Sequence, residues 1–226
     1  DEMLLVADVA RAPAIHPVES ACLAGRPERS EAAEILVLVH PSDAVVPRGA
    51  RAWLSRRAVT GHVNLRRGLQ RDMARLARLL SRTAIGLVFA GGGARGFAHL
   101  GVWRALQERG IEIDVVGGTS IGAIMAALVA FDPPIDRAVD VARRAFSTNP
   151  TGDFNLLPLV SLIRGRRVRR LVHGSIDEVA GGPVDIEDLW KSYFCVASNY
   201  SRAHEQRIAS GDLAQGLLAS CAIPGA

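Results

Sequence analysis

The sequence predicts an α/β protein with three layers, in which helices cover both faces of a mostly parallel sheet. Two short apolar segments, 85–90 and 113–117, have the composition of buried strands, and each runs into a glycine-framed turn. Between them, residues 95–109 carry apolar side chains at helical spacing. Because a right-handed crossover sets successive parallel strands side by side, the turns at 91–96 and 118–122 should open on the same edge of the sheet.

The second turn has the G-x-S-x-G pattern of a nucleophile elbow, which holds a serine out of a tight strand-to-helix turn. It reads Gly118-Thr119-Ser120-Ile121-Gly122. Ser120 is therefore a candidate nucleophile. The pattern is also compatible with an ordinary tight turn whose serine caps the following helix.

The first turn can direct free backbone N–H groups at an anion, because a helix follows it. It reads Gly91-Gly92-Gly93-Ala94-Arg95-Gly96. Acyl transfer through a tetrahedral intermediate requires at least a nucleophile, such as a serine, and a group of N–H donors that stabilises the oxyanion, such as this loop. The glycine spacing also fits a dinucleotide-binding fingerprint, which needs an acid at the end of the next strand. The acids there, Glu112 and Asp114, stand at the start of that strand, which disfavours a dinucleotide.

The remaining elements follow from periodicity and turn residues. We expect residues 1–82 to be the end of an upstream α/β segment with a helical linker, and a second domain to cover 83–226. The predicted strands are 3–9, 35–40, 85–90, 113–117, 193–198 and 204–210. The predicted helices are 50–57, 69–81, 95–109, 121–131, 135–146, 168–172, 186–189 and 212–219.

The composition is that of a globular protein. Hydrophobic residues make up 49% of the 226 residues, and the charge is mixed, with a net value of +4. Cys22, Cys195 and Cys221 are too scattered for a disulfide framework or a metal site, and they indicate a reducing compartment. No apolar segment is long enough to span a bilayer, and no signal peptide opens the chain. We therefore expect a cytoplasmic protein without a metal or other cofactor.

One basic segment indicates contact with a membrane surface. It includes Arg166, Arg167, Arg169 and Arg170, and it follows an apolar stretch at 154–160. Apolar side chains beside arginines are what docking on anionic lipid requires, whereas a solvated charged face is the alternative interpretation. Nucleic acid is a less suitable partner, because the run lacks interleaved aromatic residues and any nucleic-acid-binding module.

Three segments together resemble the patatin-like phospholipase family, and within it the neuropathy target esterase branch and its bacterial relatives. They are the two glycine turns and the segment Ala219-Ser220-Cys221-Ala222-Ile223-Pro224. Upstream stretches such as 36–41 and 62–66 resemble the region before the catalytic domain in that branch. The resemblance implies a serine esterase that uses a Ser–Asp dyad on phospholipids or lysophospholipids at a membrane surface.

The same resemblance implies roles for individual residues. Ser120 would be the nucleophile, and the glycines that frame it and the neighbouring loop are Gly91, Gly96, Gly118 and Gly122. Backbone N–H groups would form the oxyanion hole, namely those of Gly92, Gly93, Ala94 and Arg95.

The chain departs from the family pattern at the catalytic acid. In the family this Asp belongs to an Asp-Gly-Gly or Asp-Gly-Ala motif beyond the Ala-Ser-x-x-x-Pro segment, and no Asp-Gly pair occurs in these 226 residues. We therefore expect the hydrolase domain at 83–226 to be incomplete and the chain alone to be nearly inactive. Two alternatives stay open. They are a lipid-binding or regulatory module, and a Ser-His-Asp hydrolase that would use His173 or His204.

Overall fold

The computed structural model describes residues 2–25, 32–147 and 165–222. The chain divides into two compact units, Asp1–Ala84 and Ile85–Ala226. Parallel strands dominate the sheets, and helices pack on both sides. The predicted α/β fold class is confirmed.

The first unit contains a parallel sheet in the order β1-β2-β3. In chain order its elements are β1 (Glu2–Asp8), α1 (Pro17–Ala24), β2 (Ala33–His40), α2 (Ala50–Leu54), β3 (Gly61–Arg66) and α3 (Gln70–Leu80). Side chains alternate along the central strand β2, so that Leu36 packs with Trp53 of α2. Val37 belongs to a separate core cluster with Leu76 of α3. Each of these two helices therefore has its own set of strand partners.

A buried ionic network ties α3 to β3. Asp72, in the first turn of α3, is fully buried and accepts hydrogen bonds from the Arg66 side chain at 2.8 Å. Arg75 is also buried, and it donates to Asp72 at 3.1 Å and to the Asn64 carbonyl at 2.7 Å. Burial by itself would raise the pKa of Asp72, but the hydrogen bond from Arg66 and the charge of Arg75 outweigh it and lower the pKa. The carboxylate is thus held ionised in the interior of this unit.

The second unit contains a sheet in the order β4-β5-β6-β7, in which only the β6–β7 pair is antiparallel. Its strands are β4 (Gly86–Phe89), β5 (Val115–Thr119), β6 (Ser192–Asn199) and β7 (His204–Ile208). Its helices are α4 (Phe97–Glu108), α5 (Ile121–Ala130), α6 (Ile135–Ala145), α7 (Arg166–Ala180) and α8 (Leu213–Cys221). A 3-10 turn at Gly93–Gly96 leads into α4.

Helix α5 forms the centre of the second unit. Every residue from Ile121 to Ala130 is buried, and the helix packs against β4, β5 and β6 as well as α4, α6 and α8. The Tyr193 hydroxyl donates to the Ala123 carbonyl at 3.0 Å, and a buried ion pair joins Lys191 to Asp132 just past the helix. Because α5 begins immediately after Ser120, the core of this unit fixes the position of that serine.

Helix α1 forms in a stretch that the sequence predicted as a loop or short helices, and two further elements differ from the sequence prediction. No element was predicted at 61–66, where the structure has the edge strand β3. Asn64 there is buried and bonded to His40 at 3.1 Å, so polar residues concealed a buried strand. Helix α7 runs from Arg166 to Ala180 rather than over 168–172. Its buried residues, which include Leu171 and Ile176, recur at helical spacing among charged ones.

Candidate active site

The two glycine turns meet at one edge of the second sheet. β4 and β5 are parallel neighbours, with Phe89 in register with Gly118, so both strands end at the same edge. The glycine loop follows β4, and Ser120 follows β5. A Cβ added at Gly91 would stand 3.6 Å from the Ser120 Cβ, which is ordinary van der Waals contact. The predicted neighbourhood of these two motifs therefore exists in the folded chain.

Ser120 lies in a backbone conformation that a serine rarely adopts. Its φ is 56° and its ψ is −126°, at the junction between β5 and α5. Such strain costs about 1–3 kcal/mol and persists only where the surroundings determine it. This is the geometry of a serine forced outward at a strand-to-helix turn.

The glycines of the elbow leave no room for side chains. A Cβ at Gly118 would stand 2.4 Å from the Gly122 carbonyl carbon, and a Cβ at Gly122 would stand 2.3 Å from the Phe89 carbonyl oxygen. Gly96 is equally restricted, because its Cβ would overlap the Ile121 side chain at 2.1 Å. Close approach of backbone atoms at Gly118 and Gly122, and of the Ile121 side chain at Gly96, is what requires glycine at these positions.

The glycine loop carries backbone N–H groups that are free to bind an anion. Within the part of the chain that the structure describes, the N–H groups of Gly92, Gly93 and Ala94 have no protein acceptor, and all three residues are exposed. We expected the Arg95 N–H to be available to an oxyanion as well. It instead donates to the Gly92 carbonyl at 3.2 Å and closes the 3-10 turn. Gly93 has a φ of 56°, which glycine adopts without strain. Three free N–H groups before a helix suit an oxyanion.

His99 holds the end of β4 rather than facing the serine. Its Nε2 lies 2.9 Å from the Ala90 carbonyl oxygen, and its ring stacks on Phe89 with the ring centroids 4.6 Å apart. His173 is exposed on α7, and His204 is exposed on β7. Within the described residues, no histidine hydrogen-bonds Ser120.

The partners of Ser120 come from the end of α8. Its backbone N–H donates to the Ser220 Oγ at 2.9 Å, and its side chain lies near the thiol of Cys221. Burial raises the pKa of Cys221 to about 11, although the nearby Ser120 side chain acts in the opposite direction. The thiol is therefore protonated near neutral pH and is no general base for Ser120.

Sequence reasoning placed neither Ser220 nor Cys221 in the site. Both lie in the Ala219–Pro224 segment that carries the family resemblance. The sequence therefore marked this segment but did not indicate what its residues do. Among the described residues, no carboxylate hydrogen-bonds Ser120, and no cluster of histidine, cysteine and acidic side chains is arranged to hold a metal.

The four arginines of the basic run lie in the first turns of α7. They are all exposed, whereas the same helix buries residues such as Val172 and Ile176 farther along. The apolar stretch at 154–160 lies outside the described residues. None of the helices in the described ranges has the length and apolar character needed to cross a bilayer.

One edge of an α/β sheet here carries a strained serine elbow beside a loop of free N–H groups. This arrangement is typical of the class of proteins that bind and attack acyl carbonyls. The patatin-like phospholipase family model matches residues 87–226, and the chain belongs to this family.

Curated relatives agree with this assignment. A putative patatin-like phospholipase domain-containing protein of Caenorhabditis elegans is 34% identical over 200 residues, which cover 73% of this chain and 18% of that protein. The neuropathy target esterases of Drosophila sechellia and Drosophila willistoni are each 37% identical over 158 residues, covering 68% of this chain and 10% of theirs. The chain thus spans less than a fifth of the length of these relatives.

Proposed function

We propose that this protein is a serine esterase of the phospholipase or lysophospholipase type, in which Ser120 is the nucleophile. The observation that carries the proposal is the contact between the strained Ser120 elbow and the loop that presents the free N–H groups of Gly92, Gly93 and Ala94. Membership of a phospholipase family supports a lipid ester as the substrate.

The chemistry follows from these two parts. The Ser120 Oγ attacks the acyl carbonyl and loses its proton to a base, and the carbonyl oxygen becomes an oxyanion. The loop N–H groups stabilise that charge as it develops, which in other enzymes is worth about 10²–10³ in rate for one donor. Collapse of the intermediate expels the alcohol, which takes the proton back from the base. The base then removes a proton from the water that hydrolyses the acyl-serine. Arg95 closes the turn through its own N–H, so we assign the oxyanion chiefly to the three preceding residues.

The base in this proposal is an aspartate, which forms a dyad with Ser120. No Asp-Gly pair of the family's catalytic type occurs in these 226 residues, so the domain at 83–226 lacks this acid and the chain alone should turn over slowly. The curated relatives are far longer than this chain. A version of the protein that continues past residue 226 is therefore part of the test.

We further propose peripheral contact with a membrane and a cytoplasmic location. The exposed arginines at the start of α7 provide positive charge at the surface, and a lipid substrate is reached at a bilayer surface. Reversing the charge of all four should weaken binding to anionic liposomes. The matched control reverses four exposed arginines elsewhere, Arg51, Arg56, Arg71 and Arg109. An equal loss of liposome binding in both proteins would mean that only net charge matters, not the position of the arginines. Unchanged binding in both would refute the membrane contact.

Fluorophosphonate labelling tests the central proposal. Three proteins are compared, namely this chain, a version extended past residue 226, and the extended version with Ser120→Ala. Labelling of the intact extended version alone would support an activated Ser120 with its acid outside these residues. Equal labelling of the short chain would mean that the activating group is already present and that the dyad assignment is wrong. Labelling of none would favour a lipid-binding or regulatory module.

The Ser-His-Asp alternative needs a separate variant. Replacing His99, His173 and His204 together in a labelling-competent version leaves a Ser–Asp enzyme active. Loss of labelling with the fold retained would restore the triad hypothesis, because a triad depends on its histidine as the general base.

A further inference from the structure

The hydroxyl of Ser220 joins the backbone of Ser120 to the next strand of the sheet. Ser220 lies in the last turn of α8 and is only 8% exposed. Its Oγ accepts the Ser120 N–H at 2.9 Å and donates to the Val196 carbonyl on β6 at 2.6 Å. Because a carbonyl oxygen can only accept, the single hydroxyl proton is committed to Val196 and a lone pair is left for Ser120.

The Ser120 N–H requires an acceptor of this kind. Ser120 immediately precedes α5, and N–H groups at the start of a helix find no acceptor within the helix. Its carbonyl is already fixed, since it accepts from the N–H groups of Ala123 and Ile124 at 2.9 Å and 3.3 Å. Ser220 supplies the remaining backbone contact, so a strained residue is held from both sides.

The residue after Ser220 contacts the same serine. The Cys221 side chain lies near the Ser120 side chain, so two successive residues of α8 adjoin Ser120, and Ser220 bonds its backbone. Ser220 is 100 residues away from Ser120 along the chain. The end of α8 is therefore a tertiary support for the elbow that the G-x-S-x-G pattern does not contain.

We propose that Ser220 is a positioning residue for acyl transfer at Ser120. Its hydroxyl holds the Ser120 backbone in the strained conformation and thereby directs the Oγ toward an ester carbonyl at the glycine loop. Ser220 itself touches no reacting atom. This inference rests on the proposed function, because Ser220 has this task only if Ser120 is the nucleophile.

The chain offers a matched control for the test. Ser175 is also 8% exposed and helical, in α7 of the same unit, but its hydroxyl has no hydrogen-bond partner within the described residues. We compare S220A, S220T and S175A in the version of the protein that labels with fluorophosphonate. The readout is the rate constant of labelling rather than its final extent, because loss of folded protein lowers only the extent.

S220A should lower the labelling rate constant about 10- to 100-fold, the size of effect expected when a nucleophile is misplaced by about an ångström. S220T keeps the hydroxyl and should recover most of the rate, and S175A should match the unaltered protein. On a chromogenic ester, S220A should lower kcat with little change in KM. An S220A rate constant equal to that of the unaltered protein would overturn the positioning role alone. Failure of the unaltered protein to label would instead defeat the proposed function, and this inference with it.

A second measurement covers the case in which S220A does not fold. Amide hydrogen exchange in the unaltered protein should show the Ser120 N–H protected, although its acceptor is a side chain rather than backbone. Exchange of this N–H at the rate of an exposed loop amide would show that the bond does not hold the elbow, and would overturn the proposal without any variant.

Discussion

Gly122 lies directly against the carbonyl oxygen of Phe89, which a Cβ at position 122 would approach to 2.3 Å. Phe89 ends the strand that leads into the glycine loop, and Gly122 is the last glycine of the serine elbow. The contact joins the two motifs through their backbones. The distance between the glycine loop and Ser120 is therefore set by packing that tolerates no side chain at this point.

This relationship predicts a strong effect for Gly122→Ala. The added methyl would meet backbone atoms of Phe89 and Ala90, which cannot rotate away as a side chain can. We expect a loss of about 3 kcal/mol in the free energy of unfolding, the upper range for overpacking a core. Thermal and denaturant unfolding measure it.

The control for this variant is Gly101→Ala. Gly101 is an exposed residue of α4, and a Cβ there meets nothing within 4 Å. The same chemical change should stabilise the protein by about 0.5–1 kcal/mol, because alanine has less backbone freedom to lose in a helix. Similar unfolding curves for the two variants would contradict the packing described for Gly122.

The glycine loop predicts different sensitivities for Gly93 and Arg95. Gly93→Ala places a side chain at a φ of 56° and should turn its free N–H away from an oxyanion, lowering kcat by about 10²-fold. Arg95→Lys leaves the backbone unchanged and should have little effect on kcat. Steady-state hydrolysis of a chromogenic ester distinguishes them. A larger loss from Arg95→Lys would assign the side chain, rather than the loop backbone, to catalysis.

The three cysteines should differ sharply in their reactivity with alkylating reagents. Cys22 is exposed, Cys195 is buried, and Cys221 is partly buried beside Ser120. Burial raises the pKa of Cys221 to about 11, so its thiolate is scarce at pH 8 and its reaction with iodoacetamide should still accelerate between pH 9 and pH 11. Peptide mapping by mass spectrometry should find Cys22 modified first. Early modification of Cys221 at pH 8 would contradict its protected environment.

The lowered pKa of Asp72 leads us to expect that the first unit loses stability in acid. Its pKa is lowered in the folded state, so its contribution to stability is present above the pKa of the unfolded chain, about 3.9, and is lost as the pH falls through the lower folded pKa. Asp72→Asn should remove that dependence. At neutral pH it should cost about 3–5 kcal/mol, because the buried Arg75 loses the carboxylate charge that it is paired with.

Peptide-resolved amide hydrogen exchange in β2, β3 and α3 measures how the stability of the first unit changes with pH and with Asp72→Asn. Asp43→Asn, which changes an exposed carboxyl in the same unit, is the control and should leave the exchange rates unchanged. Equal acid sensitivity in the protein with and without Asp72→Asn would show that another group governs it.

Much of the second unit could be predicted because its signals are local. The apolar runs that became β4 and β5, with a helix of amphipathic spacing between them, determine the crossover and bring the two turns to one edge. β3 was missed for a physical reason. Its buried Asn64 bonds to His40 on the neighbouring strand, and that compensation is invisible until the strands pair. The length of α7 was underestimated because charged residues interrupt its buried positions.

The sequence by itself determined the α/β class, the serine elbow and the glycine loop, because strand periodicity and glycine spacing act over a few residues. Only the tertiary structure decided which N–H groups of the loop are free, since the Arg95 N–H turns back to Gly92. It also decided which residue supports the backbone of Ser120. Ser220 reaches Ser120 from 100 residues along the chain through β6 and α8, and no local pattern can specify a contact made by folding.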